Sequence, residues 1–76
     1  MSNRKITTQT EKTYAEGEER RLLIVRANGG SLAVEKRVGD NWIVADTFAA
    51  DGAHLMNFGL GPVRFTPTGG AEYSIE

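Results

Sequence analysis

The sequence predicts an all-β fold, a small antiparallel β-sandwich or barrel of about six to seven short strands joined by glycine-rich hairpin turns. Three observations carry this expectation. Asn28-Gly29-Gly30, Gly39-Asp40-Asn41, Asp51-Gly52, Gly59 to Pro62 and Pro67 to Gly70 punctuate the chain at nearly even spacing. Each is a place where the backbone can reverse, because glycine and asparagine tolerate positive φ and proline presets a turn. Between these points the apolar residues alternate with polar ones at a period of two. No segment past residue 21 keeps a 3.6-residue apolar period free of glycine, so a helical reading fails.

Taken in order, the first zone is polar. Residues 1–20 hold Thr7, Thr8, Thr10 and Thr13 and then a charge run from Glu16. With Ile6 and Tyr14 as their main apolar content, they cannot bury a core of their own. The expected organisation is a polar N-terminal arm over 1–20 and an antiparallel β module over 21–76. Lys5 to Thr10 is rich in β-branched residues, so the arm is suited to add a strand to a neighbour, with Ile6 and Thr8 as contact residues.

Leu22-Leu23-Ile24-Val25 is apolar on both parities. Leu22 and Ile24 point one way and Leu23 and Val25 the other, so one face is expected against another subunit or protein. Leu23 and Val25 are the expected interface pair. Ser31 to Val38 alternates, with Leu32, Val34 and Val38 on one side and Glu35 and Arg37 on the other. Asn41 to Phe48 places Trp42, Val44 and Phe48 on the expected core face and Ile43 on the other. Ala53 to Phe58 aligns His54, Met56 and Phe58. Val63 and Phe65 share a side opposite Arg64, and Ala71, Tyr73 and Ile75 alternate with Glu72 and Ser74. Asn28-Gly29-Gly30 is the strongest hairpin signal, so the strands are expected to run as a meander.

At 76 residues the chain is one domain near the lower limit for a self-sufficient core. Such domains draw support from disulfides, metals or oligomerisation. There is no cysteine and one histidine, His54, so no cofactor or metal is expected and oligomerisation is the remaining support. The net charge of −1 lacks the basic excess of a nucleic-acid module. No run reaches the roughly 18 apolar residues of a membrane helix, and the N-terminus lacks the apolar core of a signal peptide. An intracellular origin is therefore expected, with neither nucleic acid nor membrane as partner.

Catalytic equipment is thin. His54 lies in an apolar run without a nucleophile beside it, and the aspartates sit at or next to turns, where they are turn formers. Gly59-x-Gly61 lacks the third glycine of a dinucleotide loop, and Asp51-Gly52 lacks the carboxylates of a calcium loop. Trp42, Tyr73 and Tyr14 could form a sugar-stacking platform if exposed, but the parity of Trp42 favours a core role.

One resemblance spans residues 20–76. A polar, threonine-rich arm precedes a Gly29-Gly30 turn and a valine-rich strand ending Lys36-Arg37-Val38. Asn41-Trp42, Asp46-Thr47-Phe48, Ala50-Asp51-Gly52, Pro62-Val63-Arg64-Phe65 and Gly69-Gly70-Ala71-Glu72-Tyr73 follow. This order resembles small accessory virion proteins of tailed bacteriophages, capsid decoration (cement) proteins and head-fibre modules in particular. The resemblance implies a non-enzymatic structural protein of the virion, made in the host cytoplasm. It implies an oligomer, a trimer foremost, that binds the major capsid protein or another virion protein from outside. Such proteins have no active site to carry over. The expected contact residues are Ile6, Thr8, Leu23, Val25, Ile43 and Arg64. The alternatives are a carbohydrate- or peptide-binding β module and, last, a small enzyme.

Overall fold

In a computed structural model the chain is described over residues 5–76; residues 1–4 of the expected arm lie outside the described residues. Seven strands form: β1 (Thr10–Tyr14), β2 (Arg20–Arg26), β3 (Ser31–Val38), β4 (Asn41–Phe48), β5 (Gly52–Asn57), β6 (Gly61–Thr68) and β7 (Glu72–Ile75). They make two antiparallel sheets, one in the order β1-β6-β3-β4 and the other β5-β2-β7. The all-β expectation and the alternating pattern behind it both hold. The molecule is 17 Å across its thinnest direction, as two sheets packed face to face require.

The meander does not form. Only β3 and β4 are joined as a hairpin; every other connection carries the chain from one sheet to the other. In that hairpin Val38 pairs with Asn41 across a two-residue loop, and Gly39 has φ of 62° while Asp40 does not turn positive. That is the pattern of a type II′ turn, whose twist suits paired strands.

The segment read as the strongest hairpin signal is instead an arch. Asn28 and Gly29 have φ of 51° and 85°, and the Gly30 N–H donates to the Ala27 carbonyl at 2.7 Å. The local geometry is that of a type I′ turn, yet β2 and β3 enter different sheets. A second arch from β6 to β7 repeats it. Gly69 and Gly70 have φ of 64° and 90°, and the Ala71 N–H donates to the Thr68 carbonyl at 3.2 Å. The two arches press together: a Cβ on Gly30 would stand 1.9 Å from the Thr68 carbonyl oxygen. The Asn28 side-chain amide donates to the Gly70 carbonyl at 3.1 Å, and Asp51 Oδ1 accepts from the Ala27 N–H at 2.8 Å. Asp51-Gly52 is thus a brace on the first arch and the start of β5, not a hairpin turn.

Between the sheets lie Leu23, Val25, Leu32, Val34, Val63 and Phe65, all nearly inaccessible. An aromatic column runs through them. Tyr14 stacks on Phe58, Phe58 meets Phe65 edge-on and Phe65 stacks on Tyr73, with centroids 5.3, 5.3 and 5.4 Å apart. Such pairs add about 0.5–1.5 kcal/mol each beyond their burial.

Tyr14 corrects the expected division at residue 20. Thr10–Tyr14 forms the edge of the four-stranded sheet, pairing with β6 from Thr10–Phe65 to Tyr14–Gly61. Upstream, Ile6 exchanges two backbone hydrogen bonds with Tyr73, at 2.8 and 3.0 Å. The described part of the arm is therefore built into both sheets. Low apolar content hid this, because a short edge strand needs one buried anchor and takes the rest of its stabilisation from backbone pairing.

A chain beginning at Glu19 would lose β1 and the Tyr14 side chain, whose truncation alone costs about 3–5 kcal/mol in a packed core. It is expected to show no cooperative thermal transition by circular dichroism. A melting temperature within a few degrees of the full chain would return residues 5–18 to the status of an accessory arm.

Candidate binding surfaces

β4 contains the one register shift that changes which side chains face out. Leu32 pairs with Phe48 and Val34 with Asp46, but Glu35 pairs with Val44, leaving Ala45 as an extra residue. Such a bulge inverts the parity of everything beyond it. Phe48 keeps its inward direction and packs against the core. Trp42 and Val44 follow Arg37 and Glu35 to the outer face. The expected core role for Trp42 and Val44 is thereby overturned: Val44 is 57% exposed, and Trp42 lies over the sheet with the Arg64 guanidinium 4.7 Å from its ring centroid.

Arg64 sits centrally on that outer face, between Glu11 of β1 and Glu35 of β3 in register. Its Nε donates to Glu35 Oε1 at 3.1 Å and its terminal amino group reaches the same oxygen. Thr66 Oγ1 donates to the other Glu35 oxygen, and Gln9 Nε2 donates to Thr66 Oγ1 at 2.9 Å. Glu35 is only 6% exposed although its parity faces outward. The Trp42–Arg64 pair and its neighbours roof over a charge that a bare sheet face would leave in water. Hydrogen bonding from Arg64 is the main cause holding the Glu35 carboxyl below the usual carboxylate range; burial opposes it and Thr66 assists.

The outer face of the three-stranded sheet is chemically different. Leu22 of β2 pairs with Leu55 of β5, and Ile24 pairs with Ala53. Leu55 is 88% exposed and Ile24 37%. With the half-buried Leu22 they form an apolar strip bordered by Arg20, Arg21, Asn57 and Glu76.

The expected contact residues do not converge. Ile6 is tied to Tyr73, and Thr8 is exposed on the segment leading into β1. Leu23 and Val25 are 0% and 2% exposed, so they belong to the core and cannot meet a partner. Small size forces this: with two sheets to fill one interior, the inward face of β2 is used inside the domain. Ile43 is 53% exposed near the β3–β4 turn, on the opposite parity from Arg64. Tyr14 and Tyr73 are each 2% exposed, so no three-aromatic sugar platform exists. His54 lies against Phe48, with centroids 4.5 Å apart. Among the described residues no three His, Asp or Glu side chains are grouped to hold a metal ion. Leu22, Ile24 and Leu55 were missed as a group, since pairing across β2 and β5 is not written in either segment alone.

Compared with protein-family models, with curated proteins and with solved structures, the chain matches none.

The depressed Glu35 carboxyl contributes stability above its unfolded value, about 4.3, and that contribution is lost as pH falls through the folded value. Glu35→Gln is expected to lower stability at pH 7 by about 1–3 kcal/mol through loss of a charged acceptor. Its melting temperature should also fall less than that of the unaltered chain between pH 6 and pH 3. Parallel slopes in the two melting series would contradict the network.

Proposed function

We propose that this protein is a non-catalytic assembly module that works by docking its three-stranded sheet on another protein surface. The observation that carries the reading is the apolar strip on one sheet face, where Leu55 is 88% exposed and Ile24 and the half-buried Leu22 lie beside it. Fully burying an exposed leucine side chain is worth about 1.5–3 kcal/mol, and Leu55, 88% exposed, has most of that to gain, with the exposed parts of Ile24 and Leu22 adding to it. On the opposite sheet face the charged groups are paired within the Glu35–Arg64–Trp42 network, with Val44 as its exposed apolar residue, which leaves the strip as the better candidate for a permanent contact.

In its most specific form the module is an oligomeric bacteriophage capsid decoration protein, with the strip joining copies and other surfaces meeting the capsid. The resemblance of residues 20–76 to accessory virion proteins supports this form. A small domain without disulfides also gains stability from its neighbours. The alternative of a carbohydrate- or peptide-binding module keeps one favourable group, Trp42 on the outer face, but its two tyrosine partners are in the core.

Light scattering on the size-exclusion peak is expected to give a multiple of the chain mass, a trimer foremost. Leu55→Asp should reduce it to a monomer with an unchanged circular dichroism spectrum, because Leu55 makes no core contact to lose. A monomeric parent chain, or an aspartate variant of undiminished mass, would remove this face from the reading. For the virion form, co-sedimentation with capsids built from a neighbouring major capsid gene is the corresponding test, and failure to pellet with them would set it aside.

A further inference from the structure

At the side of the sandwich where β1 and β7 are the sheet edges, a cleft of about 510 Å³ opens beside the Ile6–Tyr73 bridge. Its size is within the range of small-molecule sites. Tyr14 lines it, and the Tyr14 hydroxyl is buried with no hydrogen-bond partner among the described residues. Buried hydroxyls are nearly always paired, so an orphaned one lining a cleft marks a place for an incoming acceptor or donor. The Tyr73 hydroxyl, by contrast, is satisfied by Thr10 Oγ1.

The remaining lining says which kind of group fits. Arg21 lies close enough for its charge to act on the Tyr14 phenol. Its Nε donates to the Glu18 carbonyl at 2.8 Å, and its two terminal amino groups have no protein acceptor among the described residues. Lys12 adds a second cation and Glu11 a single carboxylate, so the lining carries a net positive charge. Ile6, Ile75 and Phe65 supply an apolar wall.

We propose that this cleft binds a carboxylate carried on an apolar body, with the carboxylate accepting from the Tyr14 hydroxyl and the Arg21 fork and the apolar part lying against Ile6 and Ile75. A planar two-oxygen anion uses both a phenol donor and a bidentate guanidinium, which a neutral or cationic head cannot do. The same chemistry is offered by a free aliphatic acid and by the C-terminal carboxylate of a peptide ending in an aliphatic residue.

The proposal does not rest on the apolar strip, although Arg21 also borders Leu22 and Leu55, and its test runs on the full chain. Calorimetry and amide chemical shifts would be followed with octanoate, octanamide and octylamine, and with a short peptide ending in leucine as free acid and as amide. Octanoate, the peptide acid or both should bind and shift the amides of Tyr14 and Ile75; which of them binds identifies the source. The amides and the amine should be weaker by about tenfold or more, the worth of a charge-assisted hydrogen bond.

Tyr14→Phe should weaken the carboxylate by a similar factor while leaving the melting temperature of the unliganded chain equal or higher, because the deleted hydroxyl has no partner to lose. Arg21→Lys should weaken binding and Val44→Asp, on the outer face of the other sheet, should not. The proposal is overturned if no carboxylate binds at ~10 mM, the weak end of measurable affinity. It is overturned equally if octanamide binds as well as octanoate, or if Tyr14→Phe binds like the parent chain.

Discussion

The contact between the two arches governs the rest of the structure. The backbone of Gly30 lies against the carbonyl of Thr68 with no room for a Cβ between them, and a Cβ on Gly69 would stand 2.8 Å from the Gly30 Cα. Each arch carries the chain between sheets, and both do so at the same end of the sandwich. Their stacking sets Ser31 opposite Thr68 in one sheet and Arg26 opposite Glu72 in the other. The central pair of the four-stranded sheet, β3 with β6, and the β2–β7 pair of the other therefore start from one locked point. From there the inward residues of these four strands, Leu23, Val25, Leu32, Val34, Val63, Phe65 and Tyr73, are committed to a single interior. β1, β4 and β5 then add to edges that already exist.

Much of the fold was legible because period-two alternation is a direct consequence of the pleat. Ser31–Val38 and Asn41–Phe48 were readable to their ends, and the reversal at Gly39-Asp40 was readable in place. What was not legible was where each reversal leads. Asn28-Gly29 adopts the positive-φ geometry that its residues favour, but the same local turn can close a hairpin or start an arch. Contacts far along the sequence decide between them. Tyr14 shows the same limit: a lone aromatic in a polar stretch becomes a core anchor only because β6 supplies a strand beside it.

The surfaces were less legible than the core, and the reason is parity. One extra residue at Ala45 turns Trp42 and Val44 outward while Phe48 stays in, and nothing in Asn41–Phe48 announces the bulge. Trp42 then covers Arg64, Arg64 holds Glu35, and an outward-facing carboxylate becomes a buried one. Leu22–Val25 is apolar on both parities, and the domain's own core uses only one of them. Small size decides which parity is internal. Leu23 and Val25 complete the interior, while Leu22 and Ile24, joined by Leu55 across the β2–β5 ladder, remain outside. The two sheets thus end with unlike exteriors, one satisfied by its own side chains and one left apolar.

The central claim is that the locked arches define the topology, and a methyl group at Gly30 tests it most directly. Gly30 has no positive φ, so alanine there meets no backbone strain and acts only through the close approach of Thr68. Thermal melts of Gly30→Ala should show destabilisation at or above the upper end of the roughly 1–3 kcal/mol usual for overpacking. In a domain of this size that is a fall of more than about 10 °C. Gly17→Ala, where a Cβ meets nothing within 4 Å, is the companion variant and should lose only the roughly 1 kcal/mol of a left-handed glycine position. A Gly30→Ala chain that melts within a few degrees of the parent would contradict the account, because the arches could then separate without consequence for the sheets they join.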